Sequence, residues 1–414
     1  MNAPPRTPRA AWWILGVLGL IFALFAGDRA VLGILKTTLG TELGLTNAGY
    51  SMLVTAFMLP YTAMYFFVGG WIDRFGAGRM LGLCTVGMSL ATVIAGTAHG
   101  LGQLVVARFF LGVAEAGVVP AITLAIFTWF APDRRALAYS LANTVQQSAY
   151  ILCPPFVAAV TLGLGWRWAF LLPGLSGFVI AGLWWQANRY AGTPPPPEAE
   201  AAGGLVRMDG LWDRVRALWA IPSVRVLIFA RILSDPFWFF FQYWQTAFLQ
   251  ERIGLSLARV GEITWIPPLV YMGVALGLST FSDRLVARGW PAPRARLILL
   301  LAATALAPAA FVLPQVRGEF PALALVTATW VMCATWLNMS SVFMGALVPR
   351  HSLASAIAIM SALGGVTSIA FNAVVGTLID RFGYTIPFYI GACLHPLAAL
   401  LLWHHFRRRA PAAA

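Results

Sequence analysis

Twelve apolar runs dominate this chain, each long enough to cross a lipid bilayer. They occupy roughly residues 11–35, 48–71, 79–98, 101–130, 135–163, 167–190, 223–250, 258–281, 295–314, 320–348, 352–379 and 384–406. A helix of about 20 residues spans the hydrocarbon layer. In lipid no water satisfies backbone N–H and C=O groups, so each run must close its own hydrogen bonds as a helix. The expected fold class is an all-α membrane protein of twelve transmembrane helices. Of the 414 residues, 59% are hydrophobic and only 10% are charged, against about 25% charge in a soluble domain. An ordinary soluble enzyme is excluded.

One long polar stretch interrupts the pattern, between runs six and seven. It holds Pro194 to Pro197, then Glu198, Glu200, Asp209, Asp213, Arg214 and Arg216. Proline and charge at that density read as a linker over 191–222, with a short surface helix around Leu211 to Leu218. The expected domains are a six-helix bundle over 1–190 and a second over 223–414. Orientation follows from the basic residues. With the N-terminus inside, nineteen of the 28 Lys and Arg fall in cytoplasmic segments, six near the outer side, and three (Arg29, Arg108 and Arg231) within spans. Both termini are therefore expected in the cytoplasm. Topology accounts for the net charge of +13, and no nucleic-acid partner is needed.

The first run is too long for a cleavable signal and is expected to be retained as span one. The four cysteines (Cys84, Cys153, Cys333 and Cys393) fall inside spans and far apart, with no metal spacing and no disulfide framework. No Gly-x-x-x-x-Gly-Lys phosphate loop is present, which disfavours an ATP-driven pump. No nucleophile–base constellation argues for an enzyme. No cofactor and no metal are expected.

After span two comes Gly69-Gly70-Trp71-Ile72-Asp73-Arg74-Phe75-Gly76-Ala77-Gly78-Arg79, and the matching place in the second half carries Ser282-Asp283-Arg284 and Arg288-Gly289. Asp133-Arg134-Arg135 and Pro349-Arg350 follow spans four and ten. Corresponding loops in two six-span halves indicate an internal duplication, which places a substrate site near mid-membrane at the repeat interface. With these motifs the chain resembles the major facilitator superfamily, over essentially its whole length. A finer resemblance is to the anion:cation symporter family, in its hexuronate and galactonate branch. It is carried by Asp28-Arg29-Ala30-Val31-Leu32, Arg108 to Pro120, Trp129-Phe130-Ala131-Pro132, Pro154-Pro155, Gly165-Trp166-Arg167, Ser234 to Trp238 and Leu394 to Ala398. The resemblance implies proton-coupled import of sugar acids and other organic anions.

Six charged side chains sit deep inside the spans, at least six residues from either end, and each costs at least about 2.5–3.5 kcal/mol at mid-bilayer. Asp28 and Arg29 are adjacent. Arg108 and Glu115 are seven apart, on one helix face. Arg231 and Asp235 are four apart and can pair along a helix. One reading is mutual neutralisation. The other is function: a carboxyl group moving between a wet and a desolvated site changes its proton affinity, and arginine offers a carboxylate substrate a two-pronged fork. In the family the matching positions bind substrate and couple protons, which assigns Arg29 to the substrate and Asp28, Glu115 and Arg108 to coupling. The loop residues Asp73, Arg74 and Arg79 are expected to latch the cytoplasmic ends, and Arg231 and Asp235 to take part in gating.

Lys36, the single lysine, follows Arg29 by seven residues. It reads either as a snorkelling interfacial lysine or as a second cation for the substrate. Tyr61, Gln146 (with Gln147 as the register alternative) and Asn372, with Ser368 one turn earlier, are polar cavity candidates. So are Trp238 and Gln242, which share a face with Asp235. For a buried glutamine or asparagine the plainer reading is an interhelical hydrogen bond. Most of the aromatics in Phe237 to Trp244 must pack or face lipid, and Pro236 should kink that helix. His395 reads as structural. Two departures from the family, Phe25-Ala26-Gly27 before Asp28 and Gln146 to Tyr150 in span five, leave the sugar acid open and admit a smaller carboxylate.

The expected activity is proton-coupled symport of an organic anion by alternating access, with the proton as coupling ion. The alternative is an uncoupled carrier or anion exchanger for a smaller monocarboxylate. The expected setting is the bacterial inner membrane, the lipid bilayer its medium, and the expected state a monomer.

Overall fold

The structure is a computed structural model and describes residues 9–190 and 211–407. Every regular element among them is helical. In chain order they are α1 (Arg9–Ile34), α2 (Lys36–Leu43), α3 (Asn47–Phe75), α4 (Ala77–Gly96), α5 (Leu101–Glu115), α6 (Val118–Trp129), α7 (Pro132–Leu164) and α8 (Trp166–Tyr190). There follow α9 (Leu211–Ala220), α10 (Pro222–Glu251), α11 (Leu257–Ile263), α12 (Ile266–Ala287), α13 (Ala292–Thr304), α14 (Ala307–Val312), a 3-10 turn (Leu313–Gln315), α15 (Glu319–Gly345), α16 (Arg350–Phe382) and α17 (Thr385–Arg407). Residues 191–210 of the expected linker lie outside the described residues; α9 begins where they end.

Among the described residues, ten stretches are long and apolar enough to cross a membrane. The two long helices not among them are α3 and α10. Their 29 and 30 residues give a length of more than about 40 Å, so length is not what they lack. In α3 the Phe66 and Asp73 side chains lie outside the described residues and interrupt the stretch, whose sequence over 52–69 is itself strongly apolar. In α10, Arg225, Arg231, Asp235, three glutamines and the weakly hydropathic Trp and Tyr dilute the apolar character.

Several spans read as continuous are broken, and proline explains most of the breaks. A proline lacks an N–H and its ring collides with the carbonyl four residues earlier. Pro120 thus ends α5 at Glu115, Pro267 and Pro268 separate α11 from α12, and Pro308 separates α13 from α14. The interruption between α1 and α2 falls at Leu35 (φ −87°, ψ 0°), with no proline to account for it.

By its contacts the chain divides into two units. The first takes α1, α2, α4 to α8, and α3 from Met52 onward; the second takes Thr46–Ser51 and α9 to α17. In the first unit α1 packs chiefly on α7 and α8, and α4 on α5 and α8. In the second, α10 is the central post, packed on α15, α16 and α17. Phe237, Phe240, Phe241, Trp244 and Phe248 are all fully buried. They surround Phe388 of α17, with ring centroids 5.1–6.2 Å away for the four phenylalanines. The aromatic run is therefore packed core and not a lipid-facing surface. His395 is buried between Phe237 and Trp336.

The pentapeptide Ile-Asp-Arg-Phe-Gly occurs twice, at 72–76 and 379–383. It ends α3 and α16, and its glycine has a positive φ both times, 81° and 68°. Only the second copy has a described aspartate side chain. Asp380 accepts from Asn47 Nδ2 at 2.7 Å and from the Ala48 amide at 3.1 Å, within the second unit. A carboxylate there answers the unpaired N–H groups at the start of α3.

Candidate functional site

In the first unit the site is built where α1, α3 and α5 meet. Gly112 makes the approach possible: a Cβ there would overlap the Phe57 carbonyl and the Pro60 ring. With α3 seated that closely, Phe57 and Tyr61 reach α1. The Arg29 guanidinium lies 4.1 Å from the centroid of Phe25, 4.4 Å from Tyr61 and 5.1 Å from Phe57. Tyr61 in turn shares a 2.7 Å hydroxyl–hydroxyl hydrogen bond with Tyr65.

Arg29 Nε donates to Glu115 Oε2 at 2.8 Å, with Arg29 8% and Glu115 0% exposed. Two features make this carboxylate depend on the arginine. It is the last residue of α5, where the helix dipole disfavours negative charge, and it is completely desolvated, which is costly for an ion unless it is paired. Arg108 Nη1 donates to the backbone carbonyl of Asp28 at 3.2 Å. The Asp28 carboxyl and the Thr92 hydroxyl line a tight crevice with Arg108, Leu111 and Phe170. Neither Asp28 carboxyl oxygen makes a hydrogen bond of ordinary geometry among the described residues.

The structure thus brings Asp28, Arg29, Arg108, Glu115 and Tyr61 together. It pairs Arg29 with Glu115 across helices, where sequence spacing set Glu115 against Arg108 along one helix. Lys36 is buried at the first position of α2; the break at Leu35 interrupts the continuous helix that its spacing from Arg29 assumed. Gln146 accepts from Asn143 Nδ2 at 3.2 Å, a local bond within α7, and has no hydrogen bond to the Arg29 group among the described residues. Gln147 beside it is half-buried.

In the second unit Arg231 donates twice to Asp235, Nε to Oδ1 at 2.7 Å and Nη2 to Oδ2 at 2.8 Å. Its Nη1 reaches Ser340 Oγ at 2.7 Å and the Leu337 carbonyl at 3.0 Å. A Cβ at Gly364 would overlap the Asp235 carboxyl, so α16 closes over the pair. This geometry ties α10 to α15 and α16. Trp238 packs at 5.3 Å against Trp330, and Gln242 stands one turn further on. Asn372 is fully buried; its Nδ2 donates to the Ser368 carbonyl at 3.0 Å. Its Oδ1 has no hydrogen-bond partner among the described residues.

Of the expected latch, the Asp73 side chain lies outside the described residues. Arg74 is exposed, 5.5 Å from the Phe75 ring, and Arg79 is exposed near the start of α4. No cluster of three or more potential metal ligands occurs among the described residues.

Sequence reasoning missed Phe25, Phe57 and Tyr65, which look like ordinary lipid-facing or packing aromatics. A signal was present: Phe57, Tyr61 and Tyr65 stand four apart and form a ladder on one helix face, and Phe25 precedes Arg29 by four. It also missed Ser340 and Thr92, for which spacing offers no clue.

Residues 17–344 match the Major Facilitator Superfamily. The chain is 28% identical over 414 residues to a probable sulfoacetate transporter of Cupriavidus necator, covering 94% of this chain and 92% of that protein. It is 24% identical over 416 residues to the hexuronate transporter of Escherichia coli, covering 95% and 93%. It is 27% identical over 308 residues to a probable galactarate/D-glucarate transporter of the same species, covering 68% of each. Among solved structures it resembles a bacterial homolog of the human lysosomal transporter Spinster, with a TM-score of 0.74 at 18% identity over 97% and 94% of the two chains. It also resembles a D-xylose-proton symporter, with a TM-score of 0.73 at 17% identity over 95% and 97%. At those identities the structures speak for the fold. With a family match over most of its length and, among the described residues, an all-helical architecture with ten apolar helices long enough to cross a bilayer, the chain belongs to the major facilitator superfamily: it is a multi-pass membrane transporter and not an enzyme.

Proposed function

We propose that this protein is a twelve-span, proton-coupled importer of an organic anion, a sugar acid such as a hexuronate or aldonate, working by alternating access with both termini in the cytoplasm. The observation that carries the reading is the Arg29–Glu115 pair, enclosed by Phe25, Phe57 and Tyr61. Arg29 is the fork for the substrate carboxylate, and Glu115 occupies that fork in its absence. Protonation of Glu115 removes its claim on the guanidinium and frees it for the substrate; loss of the proton restores the pair and expels the substrate. Asp28, in its crevice beside Arg108, is the second carboxyl on the proton route. Tyr61 is placed to offer a hydroxyl contact. Relatives described as hexuronate and probable galactarate/D-glucarate transporters support the substrate class.

The test is uptake into proteoliposomes with an imposed pH gradient. The wild-type protein accumulates substrate when the outside is acidic. Glu115→Gln keeps exchange of labelled for unlabelled substrate and loses gradient-driven accumulation; full accumulation by this variant overturns the coupling assignment.

A second reading, a carrier for a smaller anion, has its own observation. Of the three rings described around Arg29, two are phenylalanines without hydroxyls, a surface poorly suited to a polyhydroxylated chain. A relative described as a probable sulfoacetate transporter aligns along 94% of the chain. Competition of labelled hexuronate uptake by small carboxylates and sulfonates decides between the two.

A further inference from the structure

At the end of the second unit where α10 begins and α17 stops, an open cavity of about 640 Å³ is lined by Trp219, Pro222, Arg225, Val226, Phe229 and His405. Three helices build it. From α9 comes Trp219, exposed, its ring 5.7 Å from Phe229 at 64°. From α10 comes one wall, Pro222 to Phe229. From α17 comes His405, with Nε2 3.1 Å from Ser223 Oγ. Arg225 is half-buried in that wall, and among the described residues no carboxylate is bonded to it.

Among the described residues the charge around the cavity is of one sign. The first turn of α10 has no acidic residue, while the last turn of α17 carries His404, His405 and Arg407. Arg216 is exposed on α9. The opposite wall is apolar: Phe229 is 46% exposed and Trp219 37%. A small soluble anion has no use for exposed indole and phenyl rings, and a hydrocarbon tail has none for an arginine. An amphiphile with an anionic head and an apolar chain uses both. The position, at the ends of two long helices, is where such molecules meet a membrane protein.

We propose that this cavity binds an anionic phospholipid, the phosphate on Arg225 and His405 and the first methylenes of one acyl chain on Trp219, Val226 and Phe229. The site is separate from the residues assigned to transport and stands whether or not the transport reading holds. The bound lipid fastens α9 to the ends of α10 and α17.

The test uses the full chain purified in a neutral detergent, with lipid retention read by native mass spectrometry and thermal stability read in parallel. Phosphatidylglycerol and phosphatidylcholine with identical acyl chains are compared with inorganic phosphate alone. Phosphatidylglycerol is expected to be retained at least about fivefold better than phosphatidylcholine, since a cation near the membrane surface contributes about that factor. Arg225→Gln is expected to abolish the preference, Arg225→Lys to keep it, and Phe229→Ala to weaken both lipids alike. Inorganic phosphate alone is expected to leave stability unchanged. Equal retention of the two lipids by the wild-type protein overturns the proposal, and that comparison needs no variant to fold. Unchanged preference in Arg225→Gln, or an Arg225-dependent shift with inorganic phosphate alone, overturns it as well.

Discussion

Arg29 and Arg231 are both buried and both end on a carboxylate, but their surroundings differ. Arg231 spends its donors on Asp235, Ser340 and the Leu337 carbonyl. Arg29 is bonded to Glu115 through Nε at one edge while its flat faces lie against aromatic rings. The first arrangement ties three helices together, and in the second aromatic faces flank the guanidinium. Removing one member of a buried pair leaves an unpaired charge and costs about 3–5 kcal/mol, whereas replacing both with apolar residues of similar size is close to neutral. Arg231→Leu and Asp235→Leu should therefore each lower the thermal midpoint in detergent sharply, and the double variant should recover most of the loss. Midpoints that simply add would show that the two side chains do not act as a pair. The four-residue spacing made this pair legible in sequence. The partnership of Arg29 with Glu115 was not, because 86 residues separate them and only the packing of α5 beside α1 brings them together.

At the scale of elements, proline and glycine decide the geometry. Helices expected as unbroken spans stop one turn before Pro120, Pro267 and Pro308, a rule that the sequence contained and that hydropathy alone overrides. Glycine acts through contact. Gly112 lets α3 press its backbone onto α5, and the aromatic ladder of α3 then reaches Arg29. Gly112→Ala is expected to lower stability by about 1–3 kcal/mol through overpacking and to weaken substrate affinity by moving Phe57 and Tyr61; thermal unfolding and apparent affinity for uptake check the two effects. An unchanged affinity would detach the ladder from the site. Neither consequence was visible from an isolated glycine in an apolar run, since its need depends on which backbone lies opposite. The repeated Ile-Asp-Arg-Phe-Gly was equally readable, and Asp380 now has a described role at the first turn of α3.

For the molecule as a whole, helical class and superfamily follow from the apolar runs and the loop motifs, because lipid leaves a polypeptide so few ways to satisfy its backbone. Substrate identity does not follow, because it rests on ring and hydroxyl placement around one guanidinium. The cation inventory has a practical sequel. Among 28 basic side chains Lys36 is the single primary amine, and it is 6% exposed. Apart from the α-amino group, an acylating dye has one target in the entire protein, and that target is covered. The rate at which intact mass rises by one dye is therefore a built-in clock for how often the head of α2 becomes wet. It should be slow, it should change several-fold with pH or substrate, and it should vanish in Lys36→Arg; a rate indifferent to all three would mean that the dye had found only the chain's first residue.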